Sequence, residues 1–184
     1  VVCGYLDKGK NFLYYIFMKI PKLIYLFFFA LVFVSAQKIE TKRAKNFTLP
    51  NIEKQRVTLD SCLKKGPVFI SFWALWCKLC IDELDAFKAV YEEFETLGLQ
   101  VLAISEDGPQ ATGKIKPFIT NRKWRYNVLL DPTNKVKNLY AVKTMPTSFL
   151  IDKSGHIVYQ HTGYKKGDEN KIREKIKAMF EKTE

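Results

Sequence analysis

Cys77 and Cys80, separated by Lys78 and Leu79, are the side chains of this 184-residue chain best placed to do chemistry. An apolar run, Pro67-Val68-Phe69-Ile70-Ser71-Phe72, leads into them through Trp73-Ala74-Leu75-Trp76, and a helical pattern from Ile81 to Phe94 leads out. Two cysteines at this spacing, at a strand-to-helix junction, make a redox dithiol. The spacing lets the sulfurs approach to bonding distance on the first helical turn. The first sulfur also sits near the unpaired N–H groups and positive end of the helix, which stabilise a thiolate. Cys77 therefore reads as the attacking nucleophile. Cys80, on the first turn and more buried, reads as the thiol that resolves a mixed disulfide. Lys78 supplies a nearby cation expected to lower the Cys77 pKa further. A zinc site would need a second C-x-x-C or H-x-x-H pair, and the sequence contains none.

The remaining cysteines fit an exported redox protein. Met18-Lys19-Ile20-Pro21-Lys22 is a short basic region, Leu23 to Val34 is apolar, and Ser35-Ala36-Gln37 offers a small residue at a cleavage position. The apolar run is short for a membrane span. Residues 1–36 are read as leader and signal peptide with a start at Met18, 37–45 as a linker, and 46–184 as the folded domain. Membrane contact is expected only through an uncleaved leader. Loss of Cys3 with the leader leaves Cys62, Cys77 and Cys80, which is one pair and one leftover, not a disulfide framework. Cys62 reads as a small, partly buried apolar residue.

The formal net charge is +11. The basic residues are scattered and the aromatics fall in apolar runs, so a nucleic-acid surface with stacking aromatics is not expected. Hydrophobic residues make up 47% of the chain, enough for a sizeable core.

Positioning the dithiol requires a sheet and helices around it. Ile52 and Val57-Thr58-Leu59 read as short edge strands, and Val68–Phe72 and Leu99–Ser105 as central strands. Leu84, Phe87, Val90, Tyr91 and Phe94 mark a helix stopped by Gly98. Thr112–Arg122 reads as a helix that Pro117 could kink, Tyr126–Leu130 as a strand, and Asn134–Tyr140 as a short helix. Ser148–Ile151 and Ile157–Gln160 form a hairpin, and Asp168–Lys182 is the terminal helix.

Several segments together carry a family resemblance. Phe47-Thr48-Leu49-Pro50-Asn51, Gly66 through Ala74, the dithiol, Met145-Pro146-Thr147, Phe149 through Gly155, and Gly163 resemble the TlpA/ResA-like thiol-disulfide oxidoreductases of the thioredoxin superfamily. The likeness covers about Phe47 to Phe180. It implies an α/β thioredoxin-like fold, a central mixed sheet flanked by helices, with an inserted helix and strand of the TlpA/peroxiredoxin type. It also implies catalytic roles for Cys77, Cys80, Glu83 and Pro146. Pro146 matches the superfamily's cis-proline, which exposes the Met145 backbone for strand-like pairing with a substrate. Trp76, Met145 and Thr147 are the expected substrate contacts, with Trp76 covering the dithiol. Glu83 reads either as a carboxylate that tunes the thiols and accepts the Cys80 proton, or as an ordinary first-turn Glu facing the helix dipole. His156 and His161 are expected in surface or packing roles.

The resemblance further implies a monomer in the periplasm or on the outer face of a bacterial membrane, reducing disulfides of envelope proteins. Apocytochrome c is one candidate substrate. No cofactor or metal beyond the dithiol is expected, but an upstream electron donor is required. The chain departs from the family pattern at Lys78 and Leu79, where proline is frequent, at Thr144 in place of Gly, and at Asp85 in place of Pro. The first departure is expected to set the potential between about −270 and −120 mV, the values of thioredoxin and DsbA. Two alternatives share the scaffold. A thiol peroxidase would carry Pro and Thr upstream of a single cysteine, where Ala74-Leu75-Trp76 stands. A Cu(I) metallochaperone would suit paired thiolates, but has wider cysteine spacing and a histidine before the proline loop, absent from Val142-Lys143-Thr144.

Overall fold

The structure, a computed structural model, describes residues 42–181. The leader, the signal segment and the first part of the linker expected from the sequence lie outside the described residues. A short antiparallel pair opens the domain, β1 (Thr48–Pro50) and β2 (Arg56–Thr58). Helix α1 (Leu59–Leu63) follows, capped by the Thr58 hydroxyl oxygen, which accepts from Ser61 N–H. Ile52, expected in a strand, lies instead in the turn between β1 and β2, where the Asn51 side chain accepts from the Glu53 and Gln55 N–H groups. That local hydrogen bonding overrides the β preference of isoleucine.

Strand β3 (Val68–Trp73) leads into helix α2 (Lys78–Phe94), then strand β4 (Gln100–Ser105). A 3₁₀ turn at Pro109–Ala111 opens helix α3 (Thr112–Arg122), which contains Pro117, and strand β5 (Asn127–Leu130) follows. Helix α4 (Lys135–Leu139), strands β6 (Thr147–Ile151) and β7 (Ile157–Thr162), and helix α5 (Asp168–Glu181) complete the order. The five-stranded sheet runs β5-β4-β3-β6-β7, with β3 parallel to β4, β4 parallel to β5, and the other neighbours antiparallel. This is the thioredoxin-like mixed sheet, and α3–β5 is the expected inserted pair.

All six residues of β3 are buried, because helices and loops cover both of its faces. One face packs Phe69, Trp73, Ala103 and Leu150 against Leu84, Phe87 and Val90 of α2 and Ile172 and Ile176 of α5. Phe69 stacks on Phe87 with centroids 4.0 Å apart. The other face packs Phe72, Ile104 and Leu129 with Val136, Val142, Phe149 and Cys62 of α1. Cys62 is a free, buried thiol there, consistent with a packing role.

Two glycines set the lower end of the sheet. Gly98, at φ 105°, turns the chain after α2, and a Cβ on Gly66 would meet the Gly98 carbonyl oxygen at 2.3 Å. Only glycine permits both the left-handed turn and that approach. The inserted pair is tied to α2 by Asp85. Its carboxylate accepts from Trp124 Nε1 at 2.8 Å and from Arg122. Burial acts to raise the Asp85 pKa, but these two donors together with the Lys88 ammonium outweigh it and hold the carboxyl below its usual range. The position where the sequence departs from the family's proline thus has a structural task of its own.

Candidate active site

The dithiol lies where β3 ends and α2 begins. Cys77 is the N-cap of α2, and its sulfur accepts from Cys80 N–H at 3.3 Å. The helix starts at Lys78, three residues earlier than the apolar periodicity alone indicates, because Cys77 itself caps it. Cys77 and Cys80 are joined as a disulfide, with their Cα atoms 5.3 Å apart. Cys77 is 8% exposed and Cys80 fully buried, so the first sulfur lies at the rim and the second beneath it.

The loop before the dithiol is held by a residue just past β4. Asp107 is buried, and its carboxylate accepts from Leu75 N–H at 3.0 and 3.2 Å and from the Ser105 hydroxyl at 2.9 Å. Cys77 N–H then donates to Ala74 O at 3.0 Å and closes the turn. An Asp just past a central strand, at the end where the catalytic loop sits, is the signal that points to it.

Trp76 is 73% exposed, and Leu79 is exposed beside it. Trp76 is therefore not a packing residue but an open apolar surface next to the disulfide. Lys78 does not act as the lone cation expected beside Cys77. Its ammonium is exposed and donates to both Asp82 oxygens at 2.9 and 3.0 Å, so the i,i+4 carboxylate offsets its charge.

The loop opposite is the expected one. The Met145–Pro146 bond is cis, and Pro146 is buried. Gly163 N–H donates to Pro146 O at 2.8 Å, and the Thr147 hydroxyl donates to Thr144 O at 2.6 Å. Met145 is half-buried and touches both core clusters.

Glu83 faces the sheet. It is 1% exposed, the Ser71 hydroxyl donates to Oε2 at 2.6 Å, and the Ser148 hydroxyl donates to Oε1 at 3.0 Å. Glu83 thus does not lie in solvent at the helix N-terminus. Burial drives its pKa up to about 7, against the opposing pull of the two serine donors and with a further push from Asp168. Three residues after Cys80 on one helix, it shares the buried face of α2.

Among the described residues no cluster of three or more His, Cys, Asp or Glu is arranged to hold a metal ion. His156 lies beside Asp152 in the hairpin turn, and His161 beside Asp168.

A disulfide at the N-cap of the helix after the central strand, with a cis-proline immediately before the adjacent antiparallel strand, defines a thiol-disulfide oxidoreductase of the thioredoxin-like fold. The chain belongs to the AhpC/TSA family, which matches residues 41–160. It is 32% identical over 132 residues to the thiol-disulfide oxidoreductase ResA of Bacillus thuringiensis (strain Al Hakam), covering 71% of this chain and 75% of that protein. The corresponding ResA of Bacillus anthracis matches equally. Among solved structures, a putative thiol:disulfide interchange protein DsbE from Chlorobium tepidum superposes with a TM-score of 0.69 at 31% identity, over 76% of this chain and 96% of that one. The protein is accordingly an enzyme of thiol-disulfide exchange.

Proposed function

We propose that this domain is an exported reductant of envelope-protein disulfides, with Cys77 as nucleophile and Cys80 as resolving thiol. The observation that carries the assignment is the order of burial, Cys77 at the rim and Cys80 sealed beneath it. In the reduced form the Cys77 thiolate attacks one sulfur of a substrate disulfide and expels the other as a thiolate. Cys80 then passes its proton to the Glu83 carboxylate and attacks Cys77. The Cys77–Cys80 disulfide forms, the second substrate sulfur leaves, and two electrons have moved from the dithiol to the substrate. The exposed indole of Trp76, with Met145 and Thr147 across the loop, would receive the substrate segment.

The dithiol is the redox group of this scheme, and an upstream donor must reduce it again. No described helix is long and apolar enough to cross a membrane. The basic and apolar segment from Met18 to Ala36 supports export, and apocytochrome c is a candidate substrate through the family resemblance.

In the test, Cys77→Ser abolishes reduction of insulin disulfides, while Cys80→Ser accumulates mixed disulfides with substrate. Limiting alkylation of the reduced protein should label Cys77 first. Preferential labelling of Cys80 would reverse the two roles.

A further inference from the structure

A buried base that takes a proton during each turnover must also give it up. Glu83 is sealed from solvent, yet it does not stand alone. Ser71 pairs with Ser148 across β3 and β6, and Ser148 pairs with His161 across β6 and β7. Directly opposed residues point to the same face of a sheet, with Cβ atoms roughly 5 Å apart. The three side chains thus form one polar row under α2 and α5, on a face otherwise occupied by Phe69, Leu150 and Tyr159. Glu83 closes the inner end through its hydrogen bonds to Ser71 and Ser148. The outer end is His161, partly exposed, with Nε2 3.3 Å from Asp168 Oδ2 and its ring stacked on Tyr159.

We propose that the row Ser148–His161–Asp168 is the path by which Glu83 exchanges its proton with solvent, so that His161 is the proton-relay residue of the resolving step. The proposal rests on the reading of Glu83 as acceptor of the Cys80 proton. In the forward direction Cys80 S–H breaks and Glu83 O–H forms as Cys80 attacks Cys77. Glu83 then releases that proton to the Ser148 hydroxyl, which in this structure donates to Glu83 and must turn toward the imidazole, its neighbour in the strand register, and the imidazole releases it to water. The reverse reaction runs the same transfers backwards.

The groups facing His161 suit the task. Asp168 accepts from the ring, from Lys165 N–H at 2.8 Å and from Lys171 Nζ at 3.2 Å, so the carboxylate that orients the imidazole is itself fixed. Tyr164 donates to Glu169 at 3.0 Å, and Lys175 lies over the Tyr159 ring at 5.0 Å. Among these groups only His161 carries an imidazole, a ring with two nitrogens, one able to accept a proton while the other donates one.

The test uses the reduced full chain with Cys3→Ala and Cys62→Ala, mixed with an aromatic disulfide whose thiolate leaving groups are coloured. The first release reports attack by Cys77 and the second reports resolution by Cys80. His161→Ala is expected to slow the second phase on the order of ten- to hundredfold and leave the first unchanged, and added imidazole should restore the rate. Ser148→Ala should slow the second phase without rescue. A second phase at the wild-type rate in His161→Ala, with Glu83→Gln slow, overturns the relay and leaves the role of Glu83 standing. A wild-type rate in Glu83→Gln overturns that role itself. Equal slowing of both phases in His161→Ala, unresponsive to imidazole, marks a structural effect and also overturns the relay. If His161→Ala does not fold, His161→Gln, which keeps a donor toward Asp168 but does not titrate, should show the same slow second phase, and a wild-type rate there rejects the proposal.

Discussion

Two glutamates are buried against opposite faces of the same sheet, and they are treated differently. Glu83, on the α2 side, receives hydrogen bonds from Ser71 and Ser148. Glu106 follows β4 on the other side, is 8% exposed, and neither carboxyl oxygen has a protein hydrogen-bond partner among the described residues. Burial raises both pKa values, Glu83 to about 7 and Glu106 to about 8, the latter also pushed up by Asp131 and Asp107 against the pull of Lys137. Two hydroxyl donors keep Glu83 within reach of either protonation state near neutral pH. Glu106 has no such donors, and Asp131 and Asp107 push it further up. The two sites thus differ in both their hydrogen-bond donors and their neighbouring charges.

The largest expected effect is on stability. Both folded pKa values lie above the unfolded value of 4.5. The folded state therefore binds more protons between pH 4.5 and each raised pKa, and stability falls as pH rises through that window. With each unit worth about 1.4 kcal/mol, the losses come to about 3 kcal/mol for Glu83 and about 5 kcal/mol for Glu106, as order-of-magnitude figures. Urea unfolding from pH 4.5 to 9 should show the decline, and Glu106→Gln should flatten it more than Glu83→Gln. Equal flattening would erase the distinction between the two sites.

A smaller change converts one site toward the other. Ser71→Ala leaves Glu83 a single donor, and loss of a hydrogen bond to a charged group costs about 1.5–3 kcal/mol. The cost should appear at pH 8.5, where Glu83 is ionised, and shrink at pH 5, with the Glu83 carboxyl titrating higher by NMR. The same cost at both pH values would mean that the hydroxyl does not serve the carboxylate.

The smallest effect contrasts these buried charges with an exposed one. Lys78→Glu should lower the potential by less than about 20 mV, because exposed ion pairs are worth about 1 kcal/mol or less. A larger shift in a redox titration would show that Lys78 reaches Cys77 despite Asp82.

The dithiol, the sheet around it and the inserted helix–strand are legible in the sequence because they are local: closely spaced cysteines, all-apolar strands and helical periodicity. The cis-proline loop is legible through Met145-Pro146-Thr147. The partners of Glu83 are not, because Ser71 and Ser148 lie on different strands, and only the register aligns them. Asp107 escapes for the same reason, since its partner Leu75 is 32 residues away. A one-dimensional reading places Lys78 next to Cys77, whereas its side chain runs along α2 to Asp82.

The first described residues also bear on how much of the chain can be removed. Arg43 bridges to His156 and Ile157 N–H donates to Lys42 O at 2.8 Å, beside β7. A few residues later Asn51 bridges to Leu129 and Ile52 N–H donates to Val128 O at 3.2 Å, along β5. One short segment thus shields parts of both outer strands, whose free N–H and C=O groups would otherwise be open to pairing with another chain. A protein shortened to begin after residue 52 would keep every residue of the dithiol site and yet expose two adhesive borders, so its failure would show first as aggregation and not as lost chemistry.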